Sequence, residues 1–283
     1  MSKARKATGG AVEDLLDRTY LDAMSIRHAS LADKVRLPSE AGFAGPRIRM
    51  EDLAGTDGVR RLAATLAAAR VRLPGLVCSP EAHDWHTTRL DEDPVAAAVQ
   101  RDLDAAAELG SPVLVLPVMS TGDSVEVLHA NLTRLVPRAE ALGVTIGLEF
   151  IGHVPKLPDV ASAWDVVRRL PTAVGLVVDC FHFHRGGSRL RDLEQVPASR
   201  VAMVDLCDAM DLPTSELLGY RHRLLPGEGV APVAEVVGTL LQAGYDGAFA
   251  VELFNEAYWS LPPADFAAQA GRAVRSFYAE RVV

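Results

Sequence analysis

Four acidic residues that follow apolar runs offer the clearest chemistry in this sequence. They are Glu149 after TIGL, Asp179 after GLVV, Asp205 after VAMV and Glu252 after FAV. Such runs are typical of strands buried on both faces, where an ionised carboxylate is costly unless it is paired or bound to a metal. Each acid could instead cap a helix or pair with an arginine. If the strands are neighbours, however, mutual repulsion predicts one divalent cation, Mg2+ or Mn2+ above all, with Co2+ as a substitute.

Short β-type runs alternate with Ala-rich helical stretches, which is the pattern of parallel βα units. The predicted strands are residues 21–28, 45–50, 71–78, 112–118, 144–150, 173–180, 200–207 and 248–254. Helical periodicity is clearest at 58–70, 95–110, 124–143 and 232–244, with a closing helix at 262–280. The alternation predicts a single-domain α/β fold, the (β/α)8 TIM barrel, with a doubly wound sheet as the alternative. In such a barrel, active-site groups lie at the C-terminal ends of the strands.

The composition restricts the partners. A formal net charge of -8 argues against nucleic acid, because phosphate binding needs clustered Lys and Arg. No apolar segment approaches the roughly 18 residues of a membrane span, and no signal peptide is recognisable, so a cytoplasmic protein without a membrane partner is expected. Residues 1–15 are expected to form a flexible N-terminal tail before a catalytic domain at 16–283.

Several motifs resemble the xylose isomerase-like TIM barrels of the sugar phosphate isomerase/epimerase group. The motifs are LEF with Glu149, VDCFHFHRGG with Asp179 and His182, VDLCDA with Asp205 and Asp208, RLLPGEG at 223–229, and GYDGAFAVELFN at 244–255. The group includes ketose 3-epimerases, hydroxypyruvate isomerase, inosose dehydratase and 3-dehydroshikimate dehydratase. The resemblance runs from about the second strand to the last helix.

The resemblance implies roles for five residues. Glu149, Asp179, Asp205 and Glu252 would be the metal ligands. Glu149 and Glu252 would also move protons on opposite faces of the substrate, and His182 would contact substrate oxygens or take part in proton transfer. The family usually has His or Gln where this chain has Asp205. This departure leaves open a site that selects harder ions, binds metal weakly or is repurposed.

Four further residues are predicted to bind substrate. Arg223 opens RLLPGEG, and its guanidinium suits a hydroxyl, carboxylate or phosphate. Arg47, on the predicted second strand, would either neutralise the acids or bind an anionic substrate. Trp85 and His86, in the loop after the third strand, are expected to form walls of the substrate pocket.

The resemblance implies a metal-dependent isomerase or epimerase of a small keto sugar or keto-polyol, acting through an enediolate. A metal-dependent dehydratase, which is a lyase, of a cyclic β-hydroxy ketone such as 3-dehydroshikimate or an inosose is the alternative. A non-catalytic barrel that binds metal or ligand is a third hypothesis. The expected partner is a small polyol or keto-acid substrate, and the resemblance also allows a homo-oligomer.

Overall fold

The computed structural model describes residues 10–53, 57–87, 94–119 and 124–283, which form a closed barrel of parallel strands inside a layer of helices. The barrel strands are β1 (Thr19–Asp22), β2 (Gly45–Arg49), β3 (Leu76–Val77), β4 (Val113–Pro117), β5 (Thr145–Glu149), β6 (Val174–Asp179), β7 (Val201–Leu206) and β10 (Phe249–Val251). A small antiparallel sheet of β8 (Asp208–Ala209) and β9 (Arg223–Leu224) lies between β7 and β10 in the sequence. Around the barrel the order is β1, β10, β7, β6, β5, β4, β3, β2. The predicted TIM barrel is confirmed.

Helices connect the strands. They are α1 (residues 10–16), α2 (Leu31–Glu40), α3 (Gly58–Ala69), α4 (Pro94–Glu108), α5 (Val125–Leu142), α6 (Val160–Val167), α7 (Cys180–Arg185), α8 (Leu190–Leu193), α9 (Val233–Gln242), α10 (Glu256–Trp259) and α11 (Pro263–Phe277). Local chemistry sets their ends. At α5, the Ser124 hydroxyl accepts the first N–H groups, and Gly143 ends the helix with a φ of 66°. No helix in the described ranges is long and apolar enough to cross a membrane.

Two strands and the N-terminus differ from the predictions. The strand predicted at 21–28 ends at Asp22, because this carboxylate accepts the Met24 N–H at 2.8 Å and begins a short 3-10 turn. The strand predicted at 71–78 is only Leu76–Val77. The tail predicted at 1–15 contains part of α1, whose Leu15 and Leu16 are buried in the core. Residues 1–9 lie outside the described part of the chain.

Alternate residues of each strand point into the barrel and fill it in layers. One apolar layer contains Val77, Val113, Val115, Val177, Met203 and Ala250. Gly147 belongs to the same level, because a Cβ at this position would lie 2.8 Å from the Val177 side chain. The next inward position on β5, β6, β7 and β10 comes two residues later, which is where the four acids stand.

Candidate metal and substrate site

Four carboxylates meet at the C-terminal end of the barrel. Glu149 ends β5, Asp179 ends β6, Asp205 lies in β7 and Glu252 directly follows β10. One oxygen atom of each lies within 4.8 Å of those of the other three, and all four residues are buried. Asp179 and Asp205 are register partners on adjacent strands. The structure thus brings together all four residues that were predicted to bind metal.

A fully buried arginine forms ion pairs with this cluster. Arg47 has no exposed surface, and its three nitrogens lie 2.5 Å from carboxylate oxygens of Asp22, Asp205 and Glu252. Burial would lower the pKa of Arg47, but these carboxylates hold it well above its usual range. Arg47 does not line the cavity described below, so the structure places it among the acids and not on the predicted substrate-binding wall. Of the two roles considered for it, the structure shows neutralisation of the acids.

Arg223 forms a second set of contacts. Its Nη1 lies 2.5 Å from Asp179 Oδ2 and 3.3 Å from Glu252 Oε2, and its Nη2 lies 3.2 Å from His182 Nε2. Burial alone would raise the pKa of Asp179, but Arg223 and His182 hold it below its usual value. Asp179 is therefore ionised, and Arg223 fixes the orientation of its carboxylate.

His182 is positioned by the same acid. Asp179 Oδ1 accepts the backbone N–H of His182 at 2.7 Å and so caps the first turn of α7. This cap begins a helix at Cys180, the residue at which the strand predicted at 173–180 was expected to end. His182 Nδ1 accepts the Gly152 N–H at 3.3 Å. Burial lowers the pKa of His182 to about 3, so the ring is neutral at physiological pH.

The residues at this end of the barrel fit a divalent cation. Five buried carboxylates, the four acids and Asp22, share the region with three arginines, which are Arg47, Arg49 and Arg223. When all are ionised, the formal charge is two minus, which one divalent ion would neutralise. The buried Asp205 Oδ2 also has no hydrogen-bond partner in the described ranges. A cation would supply the partner that this oxygen lacks.

Two of the carboxylates have unusual electrostatics. Burial raises the pKa of Glu149 well above its usual range, and Glu252, Asp205 and Asp179 raise it further. Burial also raises the pKa of Asp205 to about 8, against the opposing charge of Arg47. Since a cation binds the ionised form of its ligands, binding here must release protons. We therefore expect metal affinity to rise with pH.

A cavity of about 460 Å3 opens at the cluster, a size that suits a small polyol. Of the four acids, Glu149 and Glu252 line this cavity, whereas Asp179 and Asp205 have no exposed surface. His182 and Arg223 line it as well. A larger cavity of about 580 Å3 opens at the opposite end of the barrel. Among the described residues, both groups of side chains that could hold a metal lie at the C-terminal end.

Trp85 and His86 do not line the cavity, so the structure does not place them at the substrate walls that were predicted for them. Trp85 is fully buried, and its indole N–H donates to the Pro117 carbonyl at 3.0 Å. His86 is 1% exposed and stacks on the Trp85 ring with 5.8 Å between centroids. The two rings therefore support the loop after β3 from within.

Sequence reasoning also missed functional positions. Asp22 is the acid that anchors Arg47, and it is the last residue of its strand, as Glu149 and Asp179 are of theirs. Because the first strand was predicted at 21–28, Asp22 did not stand at a predicted strand end. His83 and Arg185 line the cavity but were not predicted to bind substrate.

Comparison with known sequences identifies the family. The sequence model of the xylose isomerase-like TIM barrel matches residues 35–277. The chain belongs to this family. The family assignment agrees with the barrel topology and with the resemblance noted in the motifs around the four acids.

Among curated family members, the inosose isomerase of Halalkalibacterium halodurans is 36% identical over 132 residues, covering 46% of this chain and 46% of that protein. The 3-dehydroshikimate dehydratase of Pseudomonas aeruginosa is 29% identical over 244 residues, covering 82% of this chain and 37% of that protein. The chain thus spans less than half the length of these relatives. Both are enzymes, an isomerase and a dehydratase.

A solved structure of the IOLI protein with a bound zinc atom shares the fold. Its TM-score is 0.80 at 22% identity, covering 94% of this chain and 99% of that one. A fusion of a xylose isomerase-like TIM barrel with a 4-hydroxyphenylpyruvate dioxygenase has a TM-score of 0.77, covering 90% of this chain and 42% of that one. At 22% identity, these matches support the fold alone.

Proposed function

We propose that this chain is a divalent-metal-dependent isomerase or epimerase of a small polyhydroxy ketone. The observation that supports the proposal is the placement of Glu149 and Glu252. Both belong to a cluster of four carboxylates, and both line the cavity. They come from β5 and β10, which β6 and β7 separate around the barrel. Two carboxylates can therefore approach one substrate from different directions.

Glu149, Asp179, Asp205 and Glu252 would hold the metal. An all-oxygen set favours Mn2+ or Mg2+, and Co2+ and zinc belong in any test, since the IOLI protein binds zinc. A bound divalent ion supplies Lewis-acid polarisation of substrate oxygens. Two of these ligands would be held in position for the ion, because Arg47 fixes the carboxylate of Asp205 and Arg223 fixes that of Asp179.

The side chains around the cavity would carry out the proton transfers. One of Glu149 and Glu252 would remove the proton from the carbon next to the ketone, and the other would return a proton to the neighbouring carbon or to the opposite face. The neutral His182 and the charged Arg223 would donate hydrogen bonds to substrate oxygens from the same wall.

The proposal is tested by incubating the metal-loaded protein with inosose and other small ketoses in deuterated water. Incorporation of deuterium next to the carbonyl is expected. Glu149→Gln and Glu252→Gln should each reduce exchange by about 10²-fold or more, because each removes a group that transfers a proton. Glu256→Gln, at an exposed position on α10, is the matched control. Full exchange by both variants with metal bound would refute the assignment.

A dehydratase is the second candidate, because the match to the 3-dehydroshikimate dehydratase covers 82% of this chain. In this reaction the second proton would go to a departing hydroxyl. The same proteins are then incubated with 3-dehydroshikimate. Formation of an aromatic product, followed by ultraviolet absorbance, supports the dehydratase, whereas turnover of neither class of ketone refutes both activities.

A further inference from the structure

Phe254 has two arginines over its ring. It follows Glu252 by two residues, lines the cavity and is half-buried. The guanidinium carbon of Arg49 lies over this ring at 5.5 Å from its centroid, and that of Arg223 lies over it at 5.3 Å. Both distances are within the range of about 6 Å in which the negative face of an aromatic ring attracts a cation. One ring therefore stabilises two guanidinium groups.

The same two arginines contact both oxygens of Glu252. Arg49 Nη1 lies 3.1 Å from Oε1, and Arg223 Nη1 lies 3.3 Å from Oε2. The enclosed Arg47 also contacts Oε1, at 2.5 Å. The like charges of the three arginines repel one another, and Arg49 and Arg223 have the open cavity beside them. The orientation of the Glu252 carboxylate thus depends on what holds these two guanidinium groups in place.

Arg49 is the less firmly held of the two. Arg223 pairs with Asp179, a carboxylate without exposed surface, at 2.5 Å. The other carboxylate partners of Arg49 are Asp22 at 3.8 Å and Glu51 at 3.1 Å, and the Glu51 side chain is 40% exposed. An exposed pair of this kind contributes little to stability. Without the aromatic ring, Arg49 would therefore be the first of the two to turn away from Glu252.

The Phe254 ring is itself held in place. The Trp259 ring packs against it edge-on, with 6.4 Å between the centroids and 72° between the planes. Trp259 Nε1 donates a hydrogen bond to the Met24 carbonyl at 2.7 Å. Met24 lies in the 3-10 turn that Asp22 begins at the end of β1. The ring thus has a fixed position relative to the strand ends that carry the acids.

We propose that Phe254 is a positioning residue, which holds Arg49 and Arg223 against the two oxygens of Glu252 and so fixes this carboxylate for proton transfer. The inference deepens the proposed function and rests on it, because it takes Glu252 as a group that transfers a proton. The ring acts through the two arginines, since a phenyl group has no proton to exchange. A cation–π contact withdrawn from water corresponds to a factor of about 5–30 in an equilibrium constant.

The first experiment needs neither metal nor substrate. Urea unfolding is measured for the metal-free chain, for Phe254→Leu, for Arg49→Gln and for the double variant. If the ring holds Arg49, the double variant should lose less stability than the two single losses combined, by about fivefold in the unfolding equilibrium constant. A ring that only packs against Trp259 would give additive losses.

Phe43→Leu combined with Arg49→Gln is the matched control. Phe43 is buried, and it precedes β2 at the end opposite to Arg49. Among the residues that the structure describes, no arginine lies over its ring. The losses of stability in this pair should therefore add, although each single variant loses a comparable contact.

The second experiment separates the charge distribution of the ring from its shape. Phe254 is replaced by a trifluorinated phenylalanine, which keeps nearly the same shape but has a much weaker negative face. In the deuterium-exchange assay of the metal-loaded protein, this replacement should lower kcat by about fivefold or more and leave KM nearly unchanged. Phe254→Leu should lower kcat at least as much, whereas Phe254→Tyr, which keeps the ring, should retain most of it.

Thermal melting shows whether each variant is folded. The inference is overturned if the Phe254 and Arg49 effects are additive, or if the fluorinated ring leaves kcat at the wild-type value. Coupling between Phe254 and Arg49 without exchange of any ketone would support the positioning role and refute the proposed function. Exchange at the wild-type rate by folded Phe254→Leu would refute the positioning role alone.

Discussion

Arg47→Gln tests whether the acidic cluster depends on its buried counterion. The substitution would remove the guanidinium that lies 2.5 Å from Asp22, Asp205 and Glu252. Loss of one partner of a buried ion pair is destabilising by about 3–5 kcal/mol. We expect the free energy of unfolding of the metal-free protein to fall by this amount. At about 2 °C per kcal/mol, the melting temperature should fall by roughly 6–10 °C.

The loss of stability of Arg47→Gln relative to wild type should grow with pH. Burial already raises the pKa of Asp205 to about 8 against the charge of Arg47, so removal of Arg47 should raise it further. A carboxyl group whose pKa is higher in the folded than in the unfolded chain destabilises the fold as pH rises from the unfolded pKa, near 4, through the folded one. Both proteins lose stability in parallel until pH approaches the wild-type folded pKa, so their free energies of unfolding in urea should differ more at pH 9 than at pH 5.

Two comparisons make the test specific. Arg36→Gln removes an exposed arginine of α2 that pairs with Asp33 and Glu40, and it should change stability little at either pH. Mn2+ should stabilise Arg47→Gln more than it stabilises wild type, because the ion replaces part of the lost positive charge. If Arg47→Gln is as stable as Arg36→Gln at pH 9 without metal, the cluster does not need this counterion.

Three other measurements address the metal site and the pH dependence of stability. Asp205→Asn should weaken Mn2+ binding by more than about tenfold in calorimetry, with the exposed Asp211→Asn as control; equal affinities would mean that Asp205 only pairs with Arg47. Burial raises the pKa of Asp102, although the hydrogen bond from the Ser79 N–H opposes this. In urea unfolding, Asp102→Asn should therefore become more stable relative to wild type as pH rises from about 4 to 7. A stability difference between the two proteins that does not change with pH would contradict this. Chelation with EDTA should lower the melting temperature but preserve the circular dichroism spectrum, because the arginines still compensate the acids; loss of helical signal would refute that explanation.

The barrel could be predicted because its signals are local. Apolar runs of β5, β6 and β7 are continuous, and each predicted segment contains the observed strand. The failures occur where a side chain interrupts the pattern. Asp22 ends β1 by capping a turn, and Asp179 starts α7 in the same way. The pattern of apolar residues shows where such a strand ends. It does not show that the acid at the end also accepts backbone N–H groups and starts a helical turn.

The acids could be predicted more readily than their partners. The four carboxylates are recognisable from sequence because each stands two residues after an apolar residue or glycine that points into the barrel. Arg47 lies in β2 and Arg185 ends α7, and the sequence alone does not show that Arg47 is buried among three carboxylates, whereas Nε and Nη1 of Arg185 have no hydrogen-bond partner in the described ranges. Trp85 illustrates the same limit, because its burial depends on a hydrogen bond to Pro117, 32 residues away.

The ion pair with Arg47 explains how the barrel accommodates an acid at position 205. The resemblance noted in the sequence implies a neutral His or Gln at position 205, and Asp205 instead adds one negative charge beside three other carboxylates. Arg47 brings one positive charge to within 2.5 Å of that acid, at a position with no exposed surface. Asp22 holds the guanidinium from the other side. When both groups are ionised, the positive charge of Arg47 offsets the negative charge that Asp205 adds to the cluster. The acid at 205 is therefore compatible with metal binding as long as Arg47 remains beside it.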